Sequence, residues 1–355
     1  MNLKQIATQT GVSVSTVSRV LNGSAKISED VRRRVLEAAR NLGYLDTRIR
    51  RAMQPTLQSV AVAAPSALMR PSDTNFVSWT IMEGLRAECE ARDIRIEPVV
   101  SEGDRLNRAT VLAGIKASSA EGIVIYFDEN PEILTDVSKL DRPVVLLFGL
   151  DPSMRVGSVG ISNAYGARLG VNYLLGLGHR DIGLVTWPGR HTIRRREHGF
   201  AEAVADNAEL GARGHILRLS TFEPEIAERE LGAHLEAHGG LGRVTALFCL
   251  ADNIAIGAIK ALTAFGIRVP EDVSVLGFDD TLAGQMMRPP LTTIHAPLRR
   301  IGRTALDELE ICLRARADNE PTRRVELGCS IVERRSCASA RLPAPGANPT
   351  GRRIQ

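Results

Sequence analysis

The sequence predicts a small all-α helix-turn-helix head joined by a hinge to an α/β body of two doubly wound lobes. Three observations carry this. Residues 3–44 repeat apolar side chains at helical spacing, with glycine stops between the repeats. Residues 59–280 alternate short apolar β runs with helical intervals, and the cycle restarts near residue 156. The charge is uneven: residues 1–58 hold ten Lys and Arg against four Asp and Glu, a charge of +6 in a chain that totals +4. The boundaries that follow are a head over 1–45, a hinge over 46–58, a body over 59–337 and a disordered tail over 338–355, where Pro, Gly and Arg replace any core pattern.

In the head, Leu3, Ile6 and Ala7 mark one face of a first helix, and Gly11 stops it. Val12 plugs the turn, and Ser13 suits the N-cap of a second helix. There Val17, Val20 and Leu21 face inward, while Val14, Ser15, Thr16, Ser18 and Arg19 project outward. Asn22-Gly23 closes the pair. A third helix starts at Ser28, carries Glu29 and Asp30 in its first turn, and buries Val31, Val35, Ala38, Ala39 and Leu42. An exposed face of small hydroxyls and one arginine is a poor core. It suits a nucleic-acid groove, where Ser and Thr bond phosphates or base edges and Arg bonds guanine. A three-helix bundle with no nucleic-acid partner fits the same spacing.

The segment DTRIRRAMQPTLQ (46–58) is polar, basic and short, the composition of a solvated linker. Beyond it, β runs are read at 59–65, 94–100, 122–127, 143–149, 156–162, 181–187, 215–219, 246–252 and 273–280, with helices at 76–92, 164–177, 195–207 and 253–265 between them. Ligands of such sheets sit beyond the C-terminal strand ends. That rule singles out Ser66, Asn75, Phe76, Tyr126, Phe148, Arg196, Phe222, Asp252 and Asp279. An Asp after a strand serves equally as a helix cap.

Several classes are disfavoured. No apolar run reaches the length of a membrane span, and MNLKQIATQT lacks an apolar signal core, so a cytoplasmic protein without a membrane partner is expected. Cys89, Cys249, Cys312, Cys329 and Cys337 have no metal-ligand spacing and read as reduced thiols. No metal or cofactor is expected. There is no G-x-G-x-x-G opening a helix, no Walker A motif and no G-x-S-x-G elbow, so no enzyme is expected. Gly176-Leu177-Gly178 follows a helix as a stop, and His179 reads as a surface or capping residue.

GVSVSTVSRVLNG followed by ISEDVRRRVLEAARNLGY, nearly continuous over residues 3–44, resembles the DNA-binding domain of the LacI/GalR family of transcription regulators. NF at 75–76 with Gly84, LGHRDIGLV (177–185), RREHGF (195–200), CLADNIAIGAIKAL (249–262), VPEDVSVLGFDD (269–280) and PPLTTI (289–294) resemble its effector domain, whose fold is that of periplasmic sugar-binding proteins. The resemblance implies that Val14, Ser15 and Thr16 start the recognition helix and that Ser18, Arg19 and Asn22 contact bases or phosphates. It implies a hinge helix that inserts Met53 into the minor groove. Arg48, Arg50 and Arg51 read either as added phosphate or minor-groove contacts or as residues that make that helix less regular. Asp46, Arg50 and Pro55 depart from the family pattern there.

In the body the resemblance implies that Arg196, Asp252 and Asp279 bond effector hydroxyls and that Phe222 stacks on the effector. Ala251 and Ser162 depart from frequent Asn and Asp, and the loop SALMRPSDT before Asn75 is longer than usual. The basic run GRHTIRRRE (189–197) reads either as a solvated helix start with Arg196 turned inward, or as a site where Arg194 or Arg196 binds an anionic effector. The expected protein is a regulator, chiefly a repressor, that binds a pseudo-palindromic operator in double-stranded DNA as a homodimer. Its operator affinity is switched by a sugar-like or anionic sugar-derived effector. No leucine-heptad tail suggests a tetramer.

Overall fold

The computed structural model describes residues 3–21, 27–41, 57–68, 75–126, 130–315 and 321–340. The chain divides into two compact units, 1–56 and 57–355.

In the first unit, helix α1 (Leu3–Thr10) ends at Gly11, which takes a left-handed φ of 69° that side chains with a Cβ disfavour. Its N–H donates to the Ala7 carbonyl at 2.9 Å. Helix α2 (Val14–Leu21) is capped by Ser13, whose Oγ accepts from the Thr16 N–H at 3.1 Å. Helix α3 (Glu29–Asn41) follows. Ile6, Ala7, Val17, Val20, Val35, Ala38 and Ala39 form the core, with Val12, Leu21, Ile27 and Val31 packed against it. All of these except Ile27 are read from the spacing. The side chain of Leu3 is not among those described. Leu42 lies outside the described residues.

The second unit opens with β1 (Ser59–Pro65), α4 (Phe76–Ala91), β2 (Arg95–Ser101), α5 (Arg108–Ala117), β3 (Gly122–Tyr126), α6 (Pro131–Val137), β4 (Val144–Leu147) and β5 (Gly157–Ile161). It continues with α7 (Asn163–Gly176), β6 (Asp181–Thr186), α8 (His191–Asp206), β7 (Arg213–Arg218), α9 (Pro224–His238), β8 (Ala246–Cys249), α10 (Asp252–Ala264), β9 (Ser274–Asp279), α11 (Leu282–Met286) and β10 (Thr292–His295). Helix α12 (Leu298–Ala315) and strands β11 (Arg324–Leu327) and β12 (Ser330–Val332) complete it.

The first sheet has the order β2-β1-β3-β4-β5-β11 and the second β7-β6-β8-β9-β10-β12. Both are the doubly wound order with one strand added at the edge. All pairings are parallel except β10 with β12. Successive residues of β1 serve opposite faces. Val60, Val62 and Ala64 enter one apolar cluster, and Ala61 and Ala63 another, so the strand is apolar throughout.

The structure corrects the sequence reading in three places. The restart near residue 156 lies one strand too early: β5 pairs with β4, Val145 opposite Gly157, so the strand closes the first sheet. The chain crosses to the second lobe only after Ile161. It crosses back after His295, so that α12 covers the first sheet, and β11 and β12 then add one edge strand to each. Next, His179 is buried rather than superficial. Its ring bonds Thr245 Oγ1 at 2.9 Å, Ser274 Oγ at 3.0 Å and the Ala338 carbonyl at 3.1 Å, and burial lowers its pKa. Lastly, the start assigned to the tail is held to this lobe: the Ala340 N–H donates to the Leu177 carbonyl at 2.8 Å. Among the described residues no helix is long and apolar enough to cross a membrane.

Glycines set the closest helix crossings. A Cβ on Gly302 of α12 would lie 2.2 Å from the Leu85 nitrogen of α4, and one on Gly199 of α8 would lie 2.2 Å from the Ala164 carbonyl of α7. Gly302→Ala must push α4 and α12 apart and is expected to destabilise the protein by roughly 1–3 kcal/mol. Gly232, inside α9, has open space around it. Gly232→Ala is expected to stabilise by about 0.5–1 kcal/mol. Urea denaturation of both variants checks the opposite signs.

Candidate functional site

The head presents an exposed hydroxyl face. Ser13 Oγ lies 2.8 Å from Ser15 Oγ and 2.9 Å from Thr16 Oγ1, all at the surface. Val14, Ser15 and Arg19 are exposed, and Thr16 and Ser18 are half-buried. The cap therefore does two things: it starts α2 and it presents its hydroxyls at that helix's N-terminus, where backbone N–H groups favour anions. Asn22, Arg50 and Met53 lie outside the described residues.

In the body a cleft of about 950 Å³ opens beyond the C-terminal strand ends of both sheets. Six of the nine residues singled out by the sequence line it: Asn75, Phe76, Phe148, Arg196, Phe222 and Asp279. Arg196, on the inner face of α8, is 3% exposed. Its Nε donates to Asn163 Oδ1 at 2.9 Å, one Nη to the Leu250 carbonyl at 2.6 Å and the other to Asp279 Oδ1 at 3.1 Å. The guanidinium carbon sits 3.6 Å from the centroid of the Phe278 ring, a cation–π contact in a buried site. Helix α8 begins four residues earlier than the sequence suggested, so the basic run occupies its first turns. Thr192, Ile193 and Arg196 turn inward and Arg194 turns out.

Three residues are not on the cleft wall, and each is a correction. Ser66 Oγ accepts from the Gly103 N–H at 3.2 Å and ties two loops. Tyr126 is fully buried beside Ser78, because its strand is apolar on both faces. Asp252 is fully buried beneath the floor: it accepts from Thr293 Oγ1 at 2.6 Å and from the Thr281 N–H at 2.6 Å. Bare Gly277 and Gly284 give it room. A carboxylate so enclosed holds the floor together.

The floor turns sharply after β9. Asp279 has φ 112° and Asp280 φ 61°, a sparsely populated region for residues with a Cβ. Several groups hold the turn: Arg196 on Asp279, Arg334 at 2.6 Å and His295 at 2.9 Å on Asp280, and Asp252 on the Thr281 N–H. The sequence reading did not single out Trp187, which packs against Phe222 with ring centroids 5.5 Å apart, nor Arg105, Arg190 and Asn253. A signal for Trp187 was present, since it directly follows the β6 run. Arg105 ends an unpatterned stretch, EGDR (102–105), with no signal of that kind.

Burial pushes the Asp252 carboxyl up to about 7, aided by the neighbouring Asp279 charge. It pushes Asp279 up to about 6, against the pull of Arg196. Raised carboxyl pKa values mean that the folded state binds more protons than the unfolded one between roughly pH 4 and pH 7. Stability from this pair is therefore present at low pH and lost as pH rises through that window. Asp252→Asn keeps an acceptor for the Thr281 N–H and removes the charge. Its urea midpoint relative to wild type should rise from pH 5 to pH 8, and a constant difference would contradict the assignment.

The comparisons with known proteins agree with this geometry. The family described as "Bacterial regulatory proteins, lacI family" matches residues 2–46, and "Periplasmic binding protein-like domain" matches residues 171–337. The HTH-type transcriptional repressor PurR of Yersinia enterocolitica is 30% identical over 345 residues, covering 95% of this chain and 96% of that protein. PurR of Aliivibrio salmonicida is 29% identical over 339 residues, covering 94% and 98%. The lac repressor dimer bound to operator and the anti-inducer ONPF superposes with a TM-score of 0.67 at 25% identity, covering 95% of this chain and 99% of that one. The chain belongs to the lacI family of bacterial regulatory proteins and is a DNA-binding transcription regulator rather than an enzyme.

Proposed function

We propose that the protein is a dimeric repressor whose affinity for a pseudo-palindromic operator is set by a sugar-like small molecule in the cleft. The observation that carries this is the pairing of two separate features on one chain. One is an exposed Ser/Thr/Arg face on a basic head, and the other is an interlobe cleft walled by aromatic rings over a buried Arg196–Asp279 pair.

On this reading Val14, Ser15, Thr16, Ser18 and Arg19 enter the major groove, and Asn22, Arg50 and Met53 extend the contact toward the backbone and minor groove. Two copies place two heads on two half-sites. In the cleft Asp279 accepts effector hydroxyls with the oxygen that Arg196 does not engage. Arg196 fixes that carboxylate, Asn75 adds a polar group, and Phe222, Phe76 and Phe148 cover apolar ring faces, to which the structure adds Trp187. An effector that touches both lobes binds one interlobe arrangement better than the other, and this differential affinity shifts operator binding.

Operator fragments selected from genomic DNA by the purified protein test the first half. Specific affinity should fall steeply with salt, and Arg19→Ala should cost about 1–3 kcal/mol on the selected site. Removal of residues 1–56 should abolish DNA binding. A panel of neutral sugars and nucleobases, read by thermal shift and then by release or retention of the selected DNA, tests the second half. Salt-independent binding would sink the DNA reading. A cleft that binds nothing in any panel, or a ligand without effect on operator binding, would sink the switch.

A further inference from the structure

Helix α9 ends on a pair of histidines that the effector reading does not use. His234 and His238 stand four residues apart, so they share one side of the helix, with Cβ atoms about 5–6 Å apart. Their rings stack, with centroids 4.2 Å apart and an interplanar angle of 29°. His238 Nδ1 lies 2.9 Å from the His234 carbonyl oxygen. A carbonyl can only accept, so Nδ1 carries the proton, and in the neutral ring Nε2 keeps its lone pair. His234 is half-buried and His238 is exposed. Gly239, at φ 67°, ends the helix directly after His238.

We propose that His234 and His238 together bind a divalent transition-metal ion, Ni²⁺, Cu²⁺ or Zn²⁺, through their ring nitrogens, with water completing the coordination. Two histidines at i and i+4 on one helix face are the spacing with which an H-E-x-x-H helix holds zinc. Zinc bonds an imidazole nitrogen at about 2.0–2.1 Å, so tetrahedral bonding sets the two nitrogens about 3.4 Å apart. Rings with centroids at 4.2 Å reach that separation by rotation about their side-chain bonds. The bond from His238 Nδ1 to the backbone is the outer contact that orients a metal-binding histidine and fixes its tautomer. The place also suits a cation. His238 is the last residue of α9, where unpaired carbonyls form the negative end of the helix.

The donor set limits what binds. Among the described residues no group of three or more His, Cys, Asp or Glu could hold a metal, so this is a two-ligand site open to water rather than a closed cage. Imidazole favours copper, nickel and zinc, whereas Mg²⁺ and Ca²⁺ take oxygen ligands. Glu236 is exposed and two residues from each histidine, on the other side of the helix, so the spacing is not that of a hydrolytic H-E-x-x-H centre. The site is separate from the cleft. Helix α9 starts beside the cleft residues Phe222 and Glu223, and His238 lies about 20 Å along the helix from there. Metal binding therefore requires no effector. The His238 ring could act on the His234 carbonyl purely as a helix cap, but that role gives the His234 ring no part.

The test uses the full chain without a histidine tag, nickel chloride as the probe and magnesium chloride at equal concentration as the control. Nickel should raise the melting temperature by about 2 °C more than magnesium does. In calorimetric titration His234→Gln and His238→Gln should each weaken nickel binding about tenfold or more. Melting without metal shows that each variant folds. If the pair served only as a cap, His238→Gln alone would lower that metal-free melting temperature, and His234→Gln would bind nickel as wild type does. Cu²⁺ on the wild-type chain should show both imidazole nitrogens in its electron paramagnetic resonance spectrum, a readout that needs no variant. The absence of any nickel effect beyond magnesium would overturn the proposal. So would nickel binding that either variant retains in full, since the ion would then sit on a thiol or on other histidines. A copper spectrum with a single nitrogen would do the same.

Discussion

The buried Arg196–Asp279 ion pair is the contact on which the ligand-binding half of the protein depends. Arg196 comes from α8, Asp279 from the end of β9, Asn163 from the first crossover between lobes, and the Leu250 carbonyl from the end of β8. One guanidinium therefore fixes four segments of the floor. Removing two charges from water is costly and is offset only by close pairing with further hydrogen bonds and by the Phe278 face. Breaking one partner would leave the other charged and buried. The gain is geometric: a carboxylate in the cleft lining held at an unfavourable φ of 112°.

Around that pair, the strained turn is held by groups that reach it from distant parts of the chain. Asp280 takes Arg334 from beyond β12 and His295 from the end of β10, where the chain leaves the second lobe. The two hydrogen bonds hold the Asp280 carboxyl below its usual range although burial opposes them. The segments that cross between lobes are thus in direct contact with the cleft floor. A change in how the lobes meet and a change in the floor are mechanically linked, which is what a two-state device biased by a ligand requires. Both sheets share one strand order, and both bring helices together at glycine, Gly84 and Gly302 over the first, Gly199 over the second. The cleft then lies where two equivalent sets of strand ends face each other.

The head follows a simpler logic. Its core, seven buried apolar residues among those described, is small, and each position was visible because three helices with regular apolar spacing allow few alternatives. Its exposed face was visible for the opposite reason: Ser15 and Arg19 fall off the apolar stripe, where the core needs no side chain. The cleft was partly visible. Residues directly after strands, such as Asp279 and Phe148, could be placed because strand polarity fixes which end is open. Ser66, Tyr126 and Asp252 satisfy the same rule and yet turn away from the opening. Side-chain direction there depends on neighbours far along the chain: Gly103 for Ser66, Ser78 for Tyr126, Thr281 and Thr293 for Asp252.

By itself the sequence determined what is local and periodic: the helices of the head and the glycine between the first two, the β-α alternation of the body, the charge split, and which residue types stand at the strand ends. Spacing and propensity act over a few residues, so they can be read along the chain. Only the tertiary structure decided where the chain crosses between lobes, that β5 belongs to the first sheet, and that Arg196 is consumed by the floor. These outcomes depend on pairings between segments that no local pattern connects, β5 with β4 and β11, and Arg196 with Asp279. A pattern with a period of two or of about 3.6 residues carries no information at that range.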